Sequence, residues 1–451
     1  MTEHYIDELV LKTIRLLKER KKTEFNKIIE ELQPYDIAQL YQAIPRKHHP
    51  NFINSLPVDL ISALIVELEK PLQTIALQLM KRSLLQQVLR KMENDDLAFI
   101  LEGFDEETRQ YYLSIMEKHE VEVVQSIIDY PPDSAGRLMN NRYVWIKDDS
   151  TVEQAIQKLR SFLEIAENIN YFYVIDESRR LKGVLSYRDL ILSNPEDKVA
   201  SIMFSRVISA NVYMDQEELA GLFERYDFLA IPIVDDNKEL VGIVTVDDII
   251  DVFIKEANED YEKFAATGKD ITFDTPATVA SFRRLPWLVL LLFIGLISGS
   301  IISTFQNTLD QVVALAFFMP MIAGMTGNTG TQSLAVVIRG LSSTKLEANQ
   351  ILKLIWRESK VGLMIGITCG ILIFGVAAIW QQSLVLGFVI GASLLLTLIF
   401  GTLAGTIIPI LLYKINIDPA IASGPLITTI NDILSLFIYF GLATFFLTSL
   451  L

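Results

Sequence analysis

The sequence predicts a multidomain membrane protein: an all-α superhelical N domain, an α/β pair of repeated units, a connecting helix and a five-helix transmembrane bundle. Three observations predict this fold class. Long apolar runs begin only after about residue 285 of 451, and a motif in the middle of the chain recurs at a fixed offset. The charge is also divided unevenly: residues 275–451 hold eight Lys/Arg and five Asp/Glu, a balance of +3, so the net charge of −15 leaves −18 for residues 1–274.

The charge balance and the single cysteine exclude several kinds of protein. Nucleic acid is bound by basic surfaces, so we expect no nucleic-acid partner. Cys369 alone can form neither an intramolecular disulfide nor a thiolate metal site. No catalytic motif and no G-x-x-x-x-G-K-[ST] loop occurs, so we expect neither an enzyme nor an ATP-driven pump. Met1–Arg20 has the pattern of a charged amphipathic helix rather than a signal peptide, so we expect the acidic half to stay in the cytosol.

Residues 1–136 show the periodicity of consecutive amphipathic helices. Val58–Leu68 and Leu72–Val88 are examples, and prolines and charged turns separate such segments. Asp95 and Asp96 stand in the turn Met92–Leu97, which opens the next helix. We therefore expect a helical N domain over residues 1–136.

A repeat fills most of the following segment. Asp176, Gly183, Ser186, Asp189 and Leu190 recur, always 59 residues later, as Asp235, Gly242, Thr245, Asp248 and Ile249. Each copy predicts two short strands and then a Ser or Thr that can cap a helix. This G-h-h-[ST]-x-x-D-h pattern resembles the CBS domain, which works in tandem pairs, so we expect CBS domains at 137–200 and 201–258. CBS pairs often bind adenine nucleotides, and the resemblance makes Tyr171, Arg188, Asp189 and Phe228 candidates for an ATP site.

An acidic segment joins the second repeat to the membrane half. On a helix, Asp248, Asp251, Glu256 and Glu259 fall within about one face, where like charges repel unless something neutralises them. A solvated acidic connector is the plain alternative. We expect a connecting helix and linker over residues 259–282.

Five apolar runs are long enough to span a bilayer, which takes about 20 residues. They are approximately Pro286–Phe305, Val312–Ile338, Val361–Trp380, Leu384–Tyr413 and Pro425–Leu451, within a membrane domain over residues 283–451. The basic residues that flank them all fall on the side of the acidic half: Arg283, Arg284, Arg339, Lys345, Lys353, Arg357, Lys360 and Lys414. The positive-inside rule then predicts a cytosolic N-terminus and a C-terminus outside. We expect the chain to lie in a bacterial-type inner membrane, with lipid around its spans.

Glycines recur at four-residue spacing within the apolar runs. The pairs and triplets are Gly295/Gly299, Gly362/Gly366/Gly370, Gly387/Gly391 and Gly401/Gly405, and such spacing lets helix backbones approach closely. In the second run, a polar glycine-rich motif contains Pro320, Gly324, Gly327, Asn328, Gly330 and Gln332. It predicts a weakened, irregular helix beside a cavity, or alternatively a kinked helix with buried hydrogen bonds.

Asp432 is the one ionisable residue that we predict well inside a span. A lone carboxylate in hydrocarbon is costly, and no membrane Lys or Arg can pair with it, so a cation is the expected counter-charge. A protonated Asp with a neighbouring hydrogen bond is the alternative. A two-fold dimer would bring two such carboxylates together, and with carbonyls near Gly424 and Thr428 they could hold a largely hydrated Mg²⁺.

The whole pattern resembles the MgtE family of Mg²⁺ channels and transporters. Its motifs here are Ser134–Met139, Gly324–Gln332, and Asp418-Pro419-Ala420 followed by Gly424-Pro425 and Asn431-Asp432. The resemblance implies a homodimer, Asp432 as the central pore carboxylate, and cytosolic Mg²⁺ that closes the pore by bridging acidic residues. The regulatory candidates that it implies are Asp95, Asp96, Glu217, Asp227, Asp248, Asp251, Glu256, Glu259 and Asp418.

We therefore expect a Mg²⁺-selective channel or transporter for uptake, which is gated shut by cytosolic Mg²⁺. Two alternatives remain open. One is transport of another divalent cation such as Co²⁺, which the absence of His from the spans and the presence of a single Cys disfavour. The other is a membrane-bound nucleotide-sensing receptor, which would leave Asp432 without a role.

Overall fold

The computed structural model describes residues 3–162, 168–267, 271–273, 275–343, 348–415 and 417–450. Lys345, Leu451 at the end of the fifth predicted span, and four positions of the predicted linker lie outside these residues. The chain forms two compact units, Met1–Phe253 and Ile254–Leu451, and each is described by itself.

The first unit begins with a series of short helices and one 3₁₀ turn (Arg46–His48). The helices are α1 (Glu3–Glu19), α2 (Lys22–Ile29), α3 (Pro34–Ala43), α4 (His49–Ser55), α5 (Val58–Val66), α6 (Lys70–Gln78), α7 (Arg82–Lys91), α8 (Asn94–Glu102), α9 (Glu106–Leu113), α10 (Lys118–Ile128) and α11 (Ala135–Leu138). Prolines stand in the first turn of α3, α4 and α6, where a missing backbone N–H costs nothing. Each helix buries one apolar face, with Leu40, Phe52 and Ile65 fully buried. The predicted helical N domain is confirmed.

Two small three-stranded sheets follow. Their strands are β1 (Tyr143–Lys147), β2 (Asn168–Ile175), β3 (Leu181–Ser186), β4 (Ala210–Asn211), β5 (Ala230–Val234) and β6 (Leu240–Thr245). The helices among them are α12 (Val152–Phe162), α13 (Tyr187–Leu192), α14 (Val199–Ile202) and α15 (Gln216–Tyr226). In each sheet the first strand pairs parallel to the second, and the second pairs antiparallel to the third. This repeated arrangement confirms the α/β pair.

The repeated Ser/Thr-x-x-Asp motif opens a helix in both copies. The Ser186 hydroxyl accepts from the backbone N–H of Asp189, and the Asp189 carboxylate accepts from the N–H of Ser186 at 3.0 Å. In the second copy, Thr245 donates its hydroxyl to Asp248 at 2.8 Å. The second copy then continues as α16 (Val246–Ala265), which is longer than predicted because nothing in the run interrupts a helix. The proposed boundary at residues 258/259 therefore falls inside α16.

The second unit is mostly helical and apolar. Its helices after α16 are α17 (Ala277–Thr304), α18 (Gln306–Gln311), α19 (Leu315–Ser343), α20 (Ala348–Trp380), α21 (Leu384–Lys414), α22 (Gly424–Phe445) and α23 (Leu447–Leu450), with a 3₁₀ turn at Pro419–Ile421. By length and composition, four described helices can cross a membrane: α17, α20, α21 and α22. With 29 residues α19 is also long enough, but its Thr, Asn, Gln and Gly content lowers its hydropathy.

Candidate functional site

Helix α22 carries the predicted pore carboxylate. Gly424, Thr428 and Asp432 are spaced by four residues along it and therefore share one face. Asp432 is partly buried two turns into the helix, and Gly424 is its first residue. Thr428 donates its hydroxyl to the Gly424 carbonyl at 2.9 Å, so one lone pair of that predicted oxygen ligand is already in use.

Asn431, beside Asp432, holds α22 against its neighbours. Its side chain is 0% exposed and its Nδ2 donates to the Thr326 carbonyl at 3.3 Å. Asn431 Oδ1 is buried without a hydrogen-bond partner among the described residues. A side chain at Gly330 would collide with Asn431, so the missing Cβ of that glycine makes room for the amide. The Asn-Asp motif thus joins a packing residue to a carboxylate.

The glycine-rich motif of α19 does not interrupt the helix, and the expectation of an irregular backbone is wrong. Thr326, Thr329 and Thr331 donate their hydroxyls to the carbonyls four residues earlier, at 2.7, 2.9 and 3.0 Å, and stay within the helical pattern. The motif instead has two faces. Gly327 and Gly330 are buried against α22, whereas an exposed stripe at four-residue spacing consists of Pro320, Gly324, Asn328 and Gln332.

Glu358 is a buried carboxylate that sequence reasoning missed. It is 5% exposed, and its two oxygens accept from Ser333 Oγ at 3.0 Å and from Arg357 Nη2 at 2.8 Å. It was overlooked because the third predicted span begins at Val361, whereas α20 begins at Ala348. The Arg357-Glu358 dipeptide within a predicted polar loop gave no sign of burial.

In the first unit, three carboxylates converge at the start of α8. Ligand oxygens of Glu93, Asp95 and Asp96 lie within 4.8 Å of one another, the one such group of three or more acidic, His or Cys side chains in the described ranges. Asn140, which is fully buried, donates its Nδ2 to Glu93 Oε2 at 2.7 Å and to Asp95 Oδ1 at 3.2 Å. Glu93 was missed by sequence reasoning, although it directly precedes the Asn94-Asp95-Asp96 run.

Burial and mutual repulsion perturb this cluster. Burial, reinforced by the charges of Glu93, Asp248 and Asp247, raises the pKa of Asp96 to about 7. Burial likewise raises the pKa of Asp248 to about 6, although the hydrogen bond from Thr245 opposes the rise. Asp248 of the second repeat therefore lies within electrostatic reach of the α8 cluster. Such crowded carboxylates favour protons or a bound cation.

The other regulatory candidates are more dispersed. Glu217 is exposed in the first turn of α15, and Asp227 ends that helix in the left-handed region, at φ 54°. Asp251 is exposed and Glu256 partly buried on α16. Within the part of the chain that the structure describes, none of these four belongs to a cluster of three ligand atoms.

Glu259 and Asp418 share a lysine. Lys263 Nζ lies 2.7 Å from Glu259 and 2.5 Å from Asp418, and the Asp418 carboxylate also accepts from the Ala420 backbone N–H at 2.8 Å. Burial alone would lower the pKa of Lys263, but the two carboxylates raise it above its ordinary value. The resemblance implied a metal ion as the partner of Glu259 and Asp418, and sequence reasoning missed the Lys263 ammonium that lies between them.

The four nucleotide candidates occupy two elements and the loop before β5. Tyr171 lies on β2 opposite Ser186, the residue that caps α13, and Arg188 and Asp189 lie in the first turn of α13. Arg188 is exposed, and the Asp189 carboxylate caps its own helix. Phe228 precedes β5 and stacks on Tyr226, with ring centroids 5.4 Å apart.

Family models match nearly every part of this architecture. The MgtE intracellular N domain matches residues 32–133, and the CBS domain matches residues 135–194 and 199–255. The MgtE model, described as a divalent cation transporter, matches residues 319–442.

Curated relatives match along the full length. A magnesium transporter MgtE of Bacillus subtilis is 61% identical over 98% of this chain and 98% of its own. A magnesium transporter MgtE of Thermus thermophilus is 34% identical over 97% of this chain and 98% of its own.

Solved structures match the acidic half. The soluble part of a magnesium transporter is 33% identical, with a TM-score of 0.53, and covers 56% of this chain and 99% of that one. The cytosolic domain of the Mg²⁺ channel MgtE in complex with ATP is 34% identical, with a TM-score of 0.52, and covers 54% of this chain and 99% of that one. The chain belongs to the MgtE family.

Proposed function

We propose that this chain is a Mg²⁺-selective channel or transporter for magnesium uptake across a bacterial inner membrane. The observation that carries the proposal is Asp432, a carboxylate partly buried in an apolar helix on one face with Gly424 and Thr428. A charge at that depth needs a counter-ion, and full-length relatives are named magnesium transporters. The organisation that we propose keeps the N domain at 1–136, CBS domains at 137–200 and 201–258, a connecting segment at 259–282 and five spans in 283–451. The N-terminus is cytosolic and the C-terminus outside.

The ligand chemistry favours Mg²⁺ over softer cations. The polar side chains within four residues of Asp432 on α22 are Thr, Asn and Ser, so this part of the helix offers oxygen ligands and neither His nor thiolate. One carboxylate supplies a single negative charge, which is too little for a divalent ion, and a homodimer would supply two. Two surfaces are available for contact with a second chain or with lipid. One is the exposed stripe of α19, and the other is α17, which has no buried residue within a single chain.

Feedback by cytosolic Mg²⁺ is the second part of the proposal. The carboxylates of Glu93, Asp95, Asp96 and Asp248 repel one another when ionised, and a divalent cation would reverse that repulsion. Glu259 and Asp418 add a second locus, where Mg²⁺ would compete with the Lys263 ammonium. Glu217, Asp227, Asp251 and Glu256 remain proposed contributors.

We also propose that the CBS pair binds ATP at Tyr171, Arg188, Asp189 and Phe228. The support is the family match and a relative's cytosolic domain that was solved with ATP. ATP would then act as a modulator, since transport rather than catalysis is the activity proposed here.

Flux into liposomes tests the pore assignment. We expect Asp432→Ala to lower Mg²⁺ flux at least tenfold, because the variant lacks the carboxylate whose negative charge offsets the cost of partly dehydrating Mg²⁺. Asp310→Asn is the matched control: it removes an exposed carboxylate near the other end of the bundle, and it should retain parental flux.

The same liposomes distinguish cations. Excess Co²⁺ or Ni²⁺ should compete weakly with Mg²⁺ for the parent protein. Parental flux through Asp432→Ala would refute the pore assignment, and faster Co²⁺ than Mg²⁺ flux would refute the magnesium assignment.

A further inference from the structure

A basic cavity lies in the first CBS unit, apart from the acidic clusters. Its volume is ≈ 570 Å³, and residues of β1, the loop after it, α12 and the segment before α14 line it. The lining side chains that matter below are Trp145, Lys147, Asp149, Lys158 and Lys198.

The net charge of the residues that line this cavity is opposite in sign to that of the acidic half that contains it. Three lysines and one aspartate line it, a local balance of +2, whereas residues 1–274 carry −18. Lys198 Nζ donates to the backbone carbonyl of Asp149 at 2.7 Å, which holds the ammonium at the rim. Within the described ranges, none of the three lysines forms an ion pair with a carboxylate.

Lys158 is the least usual of the three. Its ammonium sits 3.0 Å from the centre of the Trp145 ring, and the Arg179 guanidinium is 5.9 Å from the same ring. Burial, with the charges of Lys147 and Arg179, lowers the pKa of Lys158 to about 8. An anion in the cavity would relieve this crowding of positive charge.

Backbone amides add little to the cavity. The N–H groups of Ser150, Thr151, Val152 and Glu153, at the start of α12, already donate to oxygens within the chain. A bound anion would therefore be held by the lysine side chains. Because Lys158 covers the Trp145 ring, that ring is not free to stack on a nucleobase.

We propose that the cavity binds an oligophosphate group, either inorganic or the phosphate chain of a nucleotide, through Lys147, Lys158 and Lys198. An oligophosphate carries several negative charges on adjacent oxygens, which matches three ammonium groups around one cavity. None of the four ATP candidates lines this cavity, so the proposal adds a second anion site to the CBS pair.

Fluorescence of the full chain in detergent tests this site. The chain has four tryptophans, and the other three lie on α17 and α20, so a change in Trp145 emission is assigned by its loss in Trp145→Phe. In Mg²⁺-free buffer, inorganic pyrophosphate should change the emission saturably. Lys147→Gln/Lys198→Gln should weaken its binding at least tenfold, since each lysine supplies a charge-assisted hydrogen bond.

Matched variants separate charge loss from site loss. Lys47→Gln/Lys118→Gln removes two exposed lysines outside the cavity and should bind pyrophosphate like the parent. Lys158→Met keeps an aliphatic stem on Trp145 and should weaken pyrophosphate binding as Lys147→Gln/Lys198→Gln does. Circular dichroism checks that each variant is folded.

The ligand arms distinguish the sources of the phosphate chain. Lysine-dependent binding of pyrophosphate alone assigns an inorganic anion, and equal dependence for ATP assigns a nucleotide. The proposal is overturned if pyrophosphate gives no saturable change, if sulfate of equal ionic strength gives the same change, or if the lysine variants bind like the parent. The proposal is also overturned for ATP if its binding is lost only in Arg188→Ala, because the phosphate chain would then lie at the proposed ATP site that contains Arg188.

Discussion

Two aspartates in equivalent positions of the repeat have different surroundings. Asp189 and Asp248 both follow a hydroxyl residue by three positions, and both interact with that hydroxyl at a helix start. Asp189 is exposed, whereas Asp248 is partly buried and within electrostatic reach of Asp96. The repeat could be predicted from sequence because it is a local pattern. The difference in burial could not, since it depends on α8, which lies about 150 residues earlier in the chain.

The pKa of Asp96 predicts how Mg²⁺ affinity depends on pH. Its folded-state pKa of about 7 lies above the ordinary 3.8, so the folded chain retains a proton that the unfolded chain releases. Without Mg²⁺, the stability contributed by that proton is present at low pH and is lost as the pH rises from about 4 to about 7. Mg²⁺ binds the ionised form, so its affinity should rise over the same interval.

Calorimetry of the full chain in detergent checks this expectation. Near pH 6, Mg²⁺ binding should release protons, and Asp96→Asn should release fewer and bind Mg²⁺ about tenfold more weakly. Glu107→Gln, which removes an exposed carboxylate from α9, should match the parent. Mg²⁺ affinity that is independent of pH would contradict the assignment of Asp96.

At the scale of elements, the four-residue spacing of glycines correctly predicted close packing between α20 and α21. The glycine-rich motif of α19 did not produce the irregular backbone that was predicted for it. A Cβ at Gly366 would lie 2.9 Å from the Leu395 carbonyl, and one at Gly391 would lie 2.7 Å from the Gly370 carbonyl. Gly295 and Gly299, at the same spacing, have open space around them. The motif in α19 stays helical because threonine hydroxyls bond within the helix and its glycines accommodate α22. Spacing alone does not tell which of these uses a glycine has.

Two glycines on α20 give a matched comparison. Gly366→Ala should destabilise the membrane unit by about 1–3 kcal/mol, because its methyl group forces α20 away from the backbone of α21. Gly375→Ala has nothing within 4 Å of the added methyl and should be neutral or slightly stabilising. Thermal unfolding in detergent measures both. Equal effects would show that the close approach of α20 and α21 contributes little.

At the scale of the whole molecule, the charge division and the apolar runs sufficed to predict the acidic and membrane halves. They did not reveal Glu93, Lys263 or Glu358, whose roles depend on partners. Glu358 meets Ser333 from another helix, and Lys263 meets Asp418 from 155 positions away. Sequence identifies residue types that can bind a cation, whereas the fold decides which of them are already neutralised.

Limited proteolysis tests whether Mg²⁺ compacts the acidic half. Millimolar Mg²⁺ should slow trypsin cleavage of residues 1–274 in the full chain several-fold, because a divalent ion neutralises carboxylates that otherwise repel. Asp96→Asn/Asp248→Asn should lose most of that Mg²⁺ effect and resist cleavage better than the parent when Mg²⁺ is absent, since the repulsion itself is gone. Glu106→Gln/Glu107→Gln removes two exposed charges and should behave like the parent. NaCl at equal ionic strength separates screening from binding. Equal cleavage with and without Mg²⁺, or an equal effect of NaCl, would contradict feedback through this cluster.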